Sequence, residues 1–483
     1  MPGTQAALER VEPEQADVDS QGIVDFLRLV EDKQINMHSF MLLRRGLVAA
    51  EGYCRPFGAS TMHPIFSVSK SVTSAAIGIA IGEGRLSLED RVVDFFPDKL
   101  TGPSHRYTTR MTVEHLLQMT TVHPRSVETG ADWVKSFLTA PPSHAPGTVF
   151  GYDTIGTHTL CAILQRITGL TVHQYLQPRL FEAIGMGEIE WDSCPMNINK
   201  GGSGIRCTTE ALARFGQLYL QQGVWNGRSV LPEGWVERSA SRLVDNTHAR
   251  MLLDGGQGYG YQFWRCRHNA YCAFGMGGQF VVVIPEKEAV FVSTANTMMH
   301  KDGHQMILDA LWEALYPAMA GQKPAGVGAE DRIALRRKLD ELSLIIPKGR
   351  AASSIVPRIS GRRWLLAPNP PGFDACEFDW SGGNAPQLRF YSGASRADVR
   401  FGLNCWLIGR EPFSGSQSAN AGTWVDERTC VIHIQLLDAL QMFMLTCSFT
   451  DDGLLVIRVT PAGAVFKHAP AYSLNGELVR AES

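Results

Sequence analysis

Residues 66–84 read FSVSKSVTSAAIGIAIGEG, joining a serine and a lysine to a helix that has almost no polar face. Val72, Ala75, Ala76, Ile77, Ile79, Ala80 and Ile81 follow too densely for a surface stripe, so the helix is expected in the middle of a domain. Gly84 stops it. Ser67 and Lys70 are three apart, and if the helix begins at or just after Ser67 their side chains share one face. A serine hydroxyl needs a neighbouring base to become a nucleophile, and a partly desolvated lysine can be one. Unpaired N–H groups and the positive dipole end at the helix start would also stabilise negative charge on Ser67 or on the oxygen it attacks. S-x-x-K alone is short enough to recur by chance, so its support must come from elsewhere in the chain.

Upstream, residues 20–36 carry Ile23, Phe26, Leu27 and Val30 at helical spacing, and residues 38–52 read as two strands joined around Arg45-Gly46. Downstream, Thr112 is an expected N-cap for a short helix through Met119, with His115 in a structural role. In PPSHAPGTVFGYDTIGTHTLCAILQRITG, residues 141–169, Tyr152 closes a short extended run and an apolar helix follows from about Ile155 to Ile167. Residues 208–240 predict two helices separated by a turn at Trp225-Asn226-Gly227. Residues 258–296 supply strands, with a Pro285-Glu286 turn between two apolar runs, and a helix over residues 305–316 follows. Helix and hairpin first, a helical middle, then strands and a helix predict an α/β domain: an antiparallel sheet flanked by helices and built from both ends of the segment, with a mostly helical insert.

Residues 318–330, AMAGQKPAGVGAE, read as a linker, and a short charged helix is expected near 331–343. From Arg363 onward come short alternating runs such as RWLLA, CEFDW, QLRFYS and CVIHIQLL, separated by turn residues including Asp451-Asp452-Gly453. They predict a small all-β domain, closed or nearly closed into a barrel of lipocalin-like type. The expected divisions are 1–318, 319–345 and 346–483. The barrel is expected to cover an edge of the first domain, build part of the substrate rim or mediate homo-oligomerisation.

A length of 483 residues favours two or three domains, and 44% hydrophobic with 19% charged residues describes a globular chain. The net charge of −3 and the lack of a basic run argue against a nucleic-acid partner. The first twenty residues carry acids throughout and no apolar core, and no apolar run reaches eighteen residues, so the expectation is a cytoplasmic protein without a membrane span. Ten scattered cysteines then read as reduced thiols. Cys266, His268 and Cys272 alternate with Trp264 and Tyr271 as a strand and turn would, and lack a paired second cluster, so no metal is expected.

In order, SVSK at 67–70, PGTVFGYDT at 146–154 and FGMGGQF at 274–280 resemble the serine β-lactamase and penicillin-binding-protein superfamily. The likeness is to its class C-like serine hydrolases, which include esterases, D-aminopeptidases and 6-aminohexanoate-dimer hydrolases. It spans residues 20–317 and is reinforced by GRLSLEDRVVDFFP, MTVEHLLQMT, PRLFEAIGMGEIEW and ALARFGQLYLQQGVWNGRSVLPEGWV. The resemblance implies that Ser67 forms an acyl-enzyme and that Lys70 helps to deprotonate it. Tyr152 would act as general base or acid, with its pKa lowered by the Lys70 ammonium. It also implies an oxyanion hole from the Ser67 N–H and one from Gly275, Met276, Gly277 or Gly278, with Thr154 and Phe274 contacting substrate. No cofactor is implied.

Two departures bear on specificity. Thr154 stands where the family often has asparagine, and Phe274 with the glycines brings no basic group to the third motif. A β-lactam carboxylate would lose its charge-assisted contact, which favours a small ester or amide with an uncharged acyl group as substrate. The alternatives are acyl transfer or peptide cyclisation, since related thioesterases also carry a C-terminal lipocalin-like domain, and a non-catalytic scaffold retaining the fold.

Overall fold

The computed structural model describes residues 7–100, 102–125, 129–249, 253–319, 329–346, 348–463 and 470–479. Most of the proposed linker, residues 320–328, lies outside the described residues, as do 101, 126–128 and 250–252. Two compact units emerge: residues 1–52, 59–295 and 302–341 form one, and residues 53–58, 296–301 and 342–483 the other.

The first unit is built on an antiparallel sheet. Its strands are β1 (Met37–Arg44), β2 (Leu47–Tyr53), β3 (Trp264–Arg265), β4 (Tyr271–Gly275), β5 (Gln279–Ile284) and β6 (Ala289–Ala295), in the order β2-β1-β6-β5-β4-β3. The N-terminal hairpin thus pairs with strands more than two hundred residues later, with Phe40 opposite Ser293 and Leu42 opposite Phe291. Strands β1, β5 and β6 are buried along their whole length because helices cover both faces. Alternation assigns the faces. On one, Phe26 of helix α1 (Ser20–Asp32) meets Phe40 and Phe291, each with ring centroids 5.5 Å away. On the other, Met41, Leu43, Val281, Val283, Val290 and Val292 join the core that contains helix α2 (Val68–Gly82).

Three further helices matter here: α3 (Thr154–Thr168), α4 (Thr209–Leu220) and α5 (Gly303–Ala310). Gly216 lets α4 lie close on the sheet, because a Cβ there would come within 2.5 Å of Val290 and 2.7 Å of Val281. The turn expected at residues 225–227 is the tip of a tiny hairpin, Val224–Trp225 against Arg228–Ser229, rather than a plain break between helices. Asn226 and Gly227 both adopt positive φ there, which a tight hairpin requires. A charged helix α6 (Ala329–Asp340) belongs to the same unit. Among the described residues no helix is long and apolar enough to cross a membrane.

The second unit is all β. Strands β7 (Arg362–Leu366), β8 (Ala375–Asp379), β9 (Gln387–Ser392), β10 (Ser395–Arg400), β11 (Gly402–Leu403), β12 (Leu407–Arg410), β13 (Gln417–Trp424), β14 (Thr429–Leu436), β15 (Gln441–Phe449), β16 (Leu454–Gly463) and β17 (Tyr472–Leu478) form one sheet. Its order is β10-β9-β8-β7-β17-β16-β15-β14-β13-β11, with β12 also on β13, and it curls into a nearly closed barrel. Trp364, Phe378, Phe390, Trp424 and Phe449 are buried within it, so the interior is filled by side chains.

Candidate active site

Ser67 is the N-cap of α2, half-buried, and the residue before it is strained: Phe66 takes φ +46° in the left-handed region. That turn is held by a neighbouring strand. His63 and Pro64 pair with Cys207 and Arg206, and the Ile65 N–H donates to the Ile205 carbonyl at 3.0 Å. The same strand delivers the loop 201–204 to the start of α2. Helix α2 itself is clamped by hydroxyls, which an apolar pattern does not display: Ser71 donates to the Gln262 carbonyl, Thr73 to Gly201 and Ser74 to Tyr261, at 2.7–2.9 Å. Each of these three hydroxyls has an acceptor, and Ser69 Oγ accepts from the Ile205 N–H at 3.3 Å, which is what permits so many hydroxyls inside a core.

Lys70 is 1% exposed and lies one turn into the helix. Its Nζ donates to Ser67 Oγ at 2.9 Å and to the Gly202 carbonyl at 2.7 Å. Gly202 must be glycine for that contact, since a Cβ would stand 2.5 Å from Thr154 Cγ2 and 3.1 Å from Lys70 Nζ. Lys70 Nζ also lies over the ring of Tyr152, 4.8 Å from its centroid.

Tyr152 arrives from the opposite side. Asp153 caps α3, its carboxylate accepting from the Ile155 and Gly156 N–H groups at 3.0 and 3.1 Å and from Thr121 Oγ1 at 3.2 Å. The cap fixes the backbone on which Tyr152 and Thr154 flank it. Trp264 backs the Tyr152 ring at 5.3 Å between centroids. The expectation of a lowered tyrosine pKa is not met. Burial dominates and pushes the phenol upward, while a hydrogen bond with the Ser67 hydroxyl only partly opposes it. At neutral pH Tyr152 is a phenol rather than a phenolate.

The third stretch closes the cluster from the sheet. Gly275 ends β4 with its backbone against the carbonyl of Ile65, where a Cβ would sit only 2.3 Å away. The chain then passes through Met276, 36% exposed, and through Gly277 and Gly278 at φ +87° and +96°. Among the described residues neither the Ser67 nor the Met276 N–H has a backbone acceptor. Phe274 is half-buried, stacked on Phe280 at 4.9 Å and edge-on to His304 at 4.8 Å.

The structure thus brings Ser67, Lys70, Tyr152, Thr154 and the 274–278 segment together. Sequence reading missed three neighbours: Gly202, Trp264 and His304. The GGSG run at 201–204 was the one available signal, being a glycine cluster. A cavity of about 780 Å³ lined by Glu83, Arg179, Trp225 and Arg228 opens instead at the far end of α2, about 22 Å of helix away from Ser67.

A buried lysine reaching the serine at a helix start, facing a tyrosine and a glycine-rich strand, defines a hydrolase of the β-lactamase and penicillin-binding-protein superfamily. More specifically, the chain belongs to the Beta-lactamase family, which matches residues 26–315. It is 28% identical over 287 residues to the 6-aminohexanoate-dimer hydrolase of Paenarthrobacter ureafaciens, covering 53% of this chain and 72% of that protein. It is 26% identical over 317 residues to a beta-lactamase of Escherichia coli strain K12, covering 54% and 81%. The solved structure of an octameric penicillin-binding protein homologue from Pyrococcus abyssi superposes with a TM-score of 0.50 at 14% identity, covering 94% of this chain and 99% of that one. The likeness in fold therefore includes the C-terminal β unit.

Proposed function

We propose that the protein is a serine hydrolase that forms an acyl-enzyme through Ser67 and acts on a small ester or amide with an uncharged acyl group. The observation that carries this reading is the contact of the buried Lys70 Nζ with a half-buried, accessible Ser67 Oγ at 2.9 Å. As a free amine, Lys70 takes the Oγ proton while Oγ bonds to the substrate carbonyl carbon. The resulting oxyanion lies between the Ser67 and Met276 N–H groups. Tyr152, kept protonated by its burial, gives its proton to the leaving group, and the Lys70 ammonium returns one to the phenolate. Water then attacks the acyl-enzyme by the reverse path.

The preference for an uncharged acyl group is supported by Phe274 and the exposed Met276, which line the third motif where a cation would be needed for a carboxylate. Thr154 offers a hydroxyl and a methyl in place of a carboxamide. The reading assigns the chemistry to residues 1–318 and leaves the β domain, 346–483, outside it.

Treatment of the protein with a fluorophosphonate or a p-nitrophenyl ester should place the label on Ser67, as read by peptide mass spectrometry. Ser67→Ala should lose both label and turnover. A wild type that is neither labelled nor active on a panel of esters, D-amino acid amides and β-lactams would overturn the proposal.

A further inference from the structure

We infer that His304 is a positioning residue for the oxyanion-binding turn, an inference that rests on the acyl-enzyme reading above. The turn needs external support. Between β4 and β5 the chain runs Gly275-Met276-Gly277-Gly278, and the two left-handed glycines have no side chains to wedge them in place. Its internal bond, from the Gly278 N–H to the Gly275 carbonyl, is long at 3.3 Å.

Three side chains supply what the backbone lacks. Gln279 Nε2 donates to the Met276 carbonyl at 3.1 Å, and Ser293 Oγ to the Gly278 carbonyl at 2.9 Å. From the first turn of α5, His304 Nε2 accepts the Gly277 N–H at 2.8 Å. The Met276–Gly277 peptide is therefore held at its carbonyl by Gln279 and at its N–H by His304. On the other side of Met276, Gly275 is fixed by pairing with Gln279 and by its approach to Ile65. With both flanks pinned, the Met276 N–H has one direction.

The contact assigns the His304 tautomer: Nε2 accepts, so the ring proton is on Nδ1. The edge-on packing of Phe274 keeps the ring in that plane. His304 touches no reacting atom; it acts through the backbone it holds. It also ties the orientation of the oxyanion donor to helix α5, an element otherwise remote in sequence from every catalytic motif.

The test compares His304→Gln, whose carboxamide oxygen can still accept the Gly277 N–H, with His304→Phe and His304→Ala, which cannot. The expected result for p-nitrophenyl ester hydrolysis is a fall in kcat of about tenfold to a hundredfold in the Phe and Ala variants, with KM within about twofold. The Gln variant should return to within about threefold of wild type. Thermal melts and fluorophosphonate labelling of Ser67 accompany the kinetics, so that a misfolded Phe variant is recognised and the Ala and Gln pair decides. Wild-type kcat in His304→Ala, or a Gln variant no better than Ala, overturns the inference. If Ser67→Ala keeps its turnover, the acyl-enzyme reading fails and takes this inference with it. If Ser67→Ala is dead while His304→Ala is unaffected, only the role of His304 is lost.

Discussion

Gly275→Ala is a severe test of the site because it adds one methyl where the structure leaves no room. The new Cβ would lie 2.3 Å from the Ile65 carbonyl oxygen and 3.1 Å from Gln279 Cβ. An ordinary contact between such atoms is about 3.3 Å or more, so β4 and the Ile65–Ser67 turn must separate by about 1 Å. The backbone of Gly275 is not in the left-handed region, so alanine adds no φ strain and the effect is steric alone. The two peptide N–H groups assigned to the oxyanion sit on the two segments being pushed apart. A displacement of about 1 Å at such donors costs about a hundredfold in rate, or about 2.7 kcal/mol of transition-state stabilisation. The assay is initial-rate hydrolysis of a p-nitrophenyl ester across substrate concentration, with circular dichroism and a melting curve to show that the variant is folded. The expected outcome is a fall in kcat of about two orders of magnitude with little change in KM. A folded Gly275→Ala protein whose kcat stays within about threefold of wild type would refute the assignment of these two segments as oxyanion donors.

Tyr152→Phe keeps the ring on Trp264 and beneath Lys70 and removes only the hydroxyl. Amide hydrolysis should fall by about 10²–10⁴-fold and p-nitrophenyl ester hydrolysis by much less, because p-nitrophenolate leaves without a proton; equal losses on both would rule out the role in leaving-group protonation. His158 is 1% exposed on α3, packed on Trp133 at 4.9 Å, and burial lowers its pKa from the ordinary 6.5 to about 4. The unfolded chain then binds the proton more readily, so the contribution of this group is full above pH 6.5 and is lost as the pH falls towards 4, by on the order of 3 kcal/mol. Urea midpoints between pH 7 and 4 should fall less steeply in His158→Phe than in wild type. The slope should not vanish, because His63 is held down to about 3 by the same cause; parallel lines for the two proteins would contradict the account.

How much of the site could be read in advance depended on whether its parts were local. Ser67 and Lys70 are one helical turn apart, so their meeting follows from backbone geometry once the helix is granted. Tyr152 sits at a loop-to-helix junction that by itself suits a packed aromatic, and only the resemblance of PGTVFGYDT to the superfamily's second motif singled it out; the Asp153 cap that fixes it is a local device. What Tyr152 does was not legible. Its pKa depends on how completely neighbours exclude water, and burial outweighs the hydrogen bond with Ser67 that opposes it. Gly202, Trp264 and His304 carry no motif, because each reaches the site through strand pairing or helix packing over long sequence separations.

The sequence by itself determined the elements and their order. Hydrophobic periods of 2 and 3.6, turn residues and the S-x-x-K spacing are properties of neighbours along the chain, and they were enough for an α/β unit followed by a β barrel. The tertiary structure alone decided which backbone groups face the nucleophile. The Ile65 carbonyl against Gly275, the Gly202 carbonyl at Lys70 and the Gly277 N–H on His304 all depend on register and close approach between distant segments. Such contacts are set by the packing of the whole core, and a shift of one residue in any pairing would turn every one of them away.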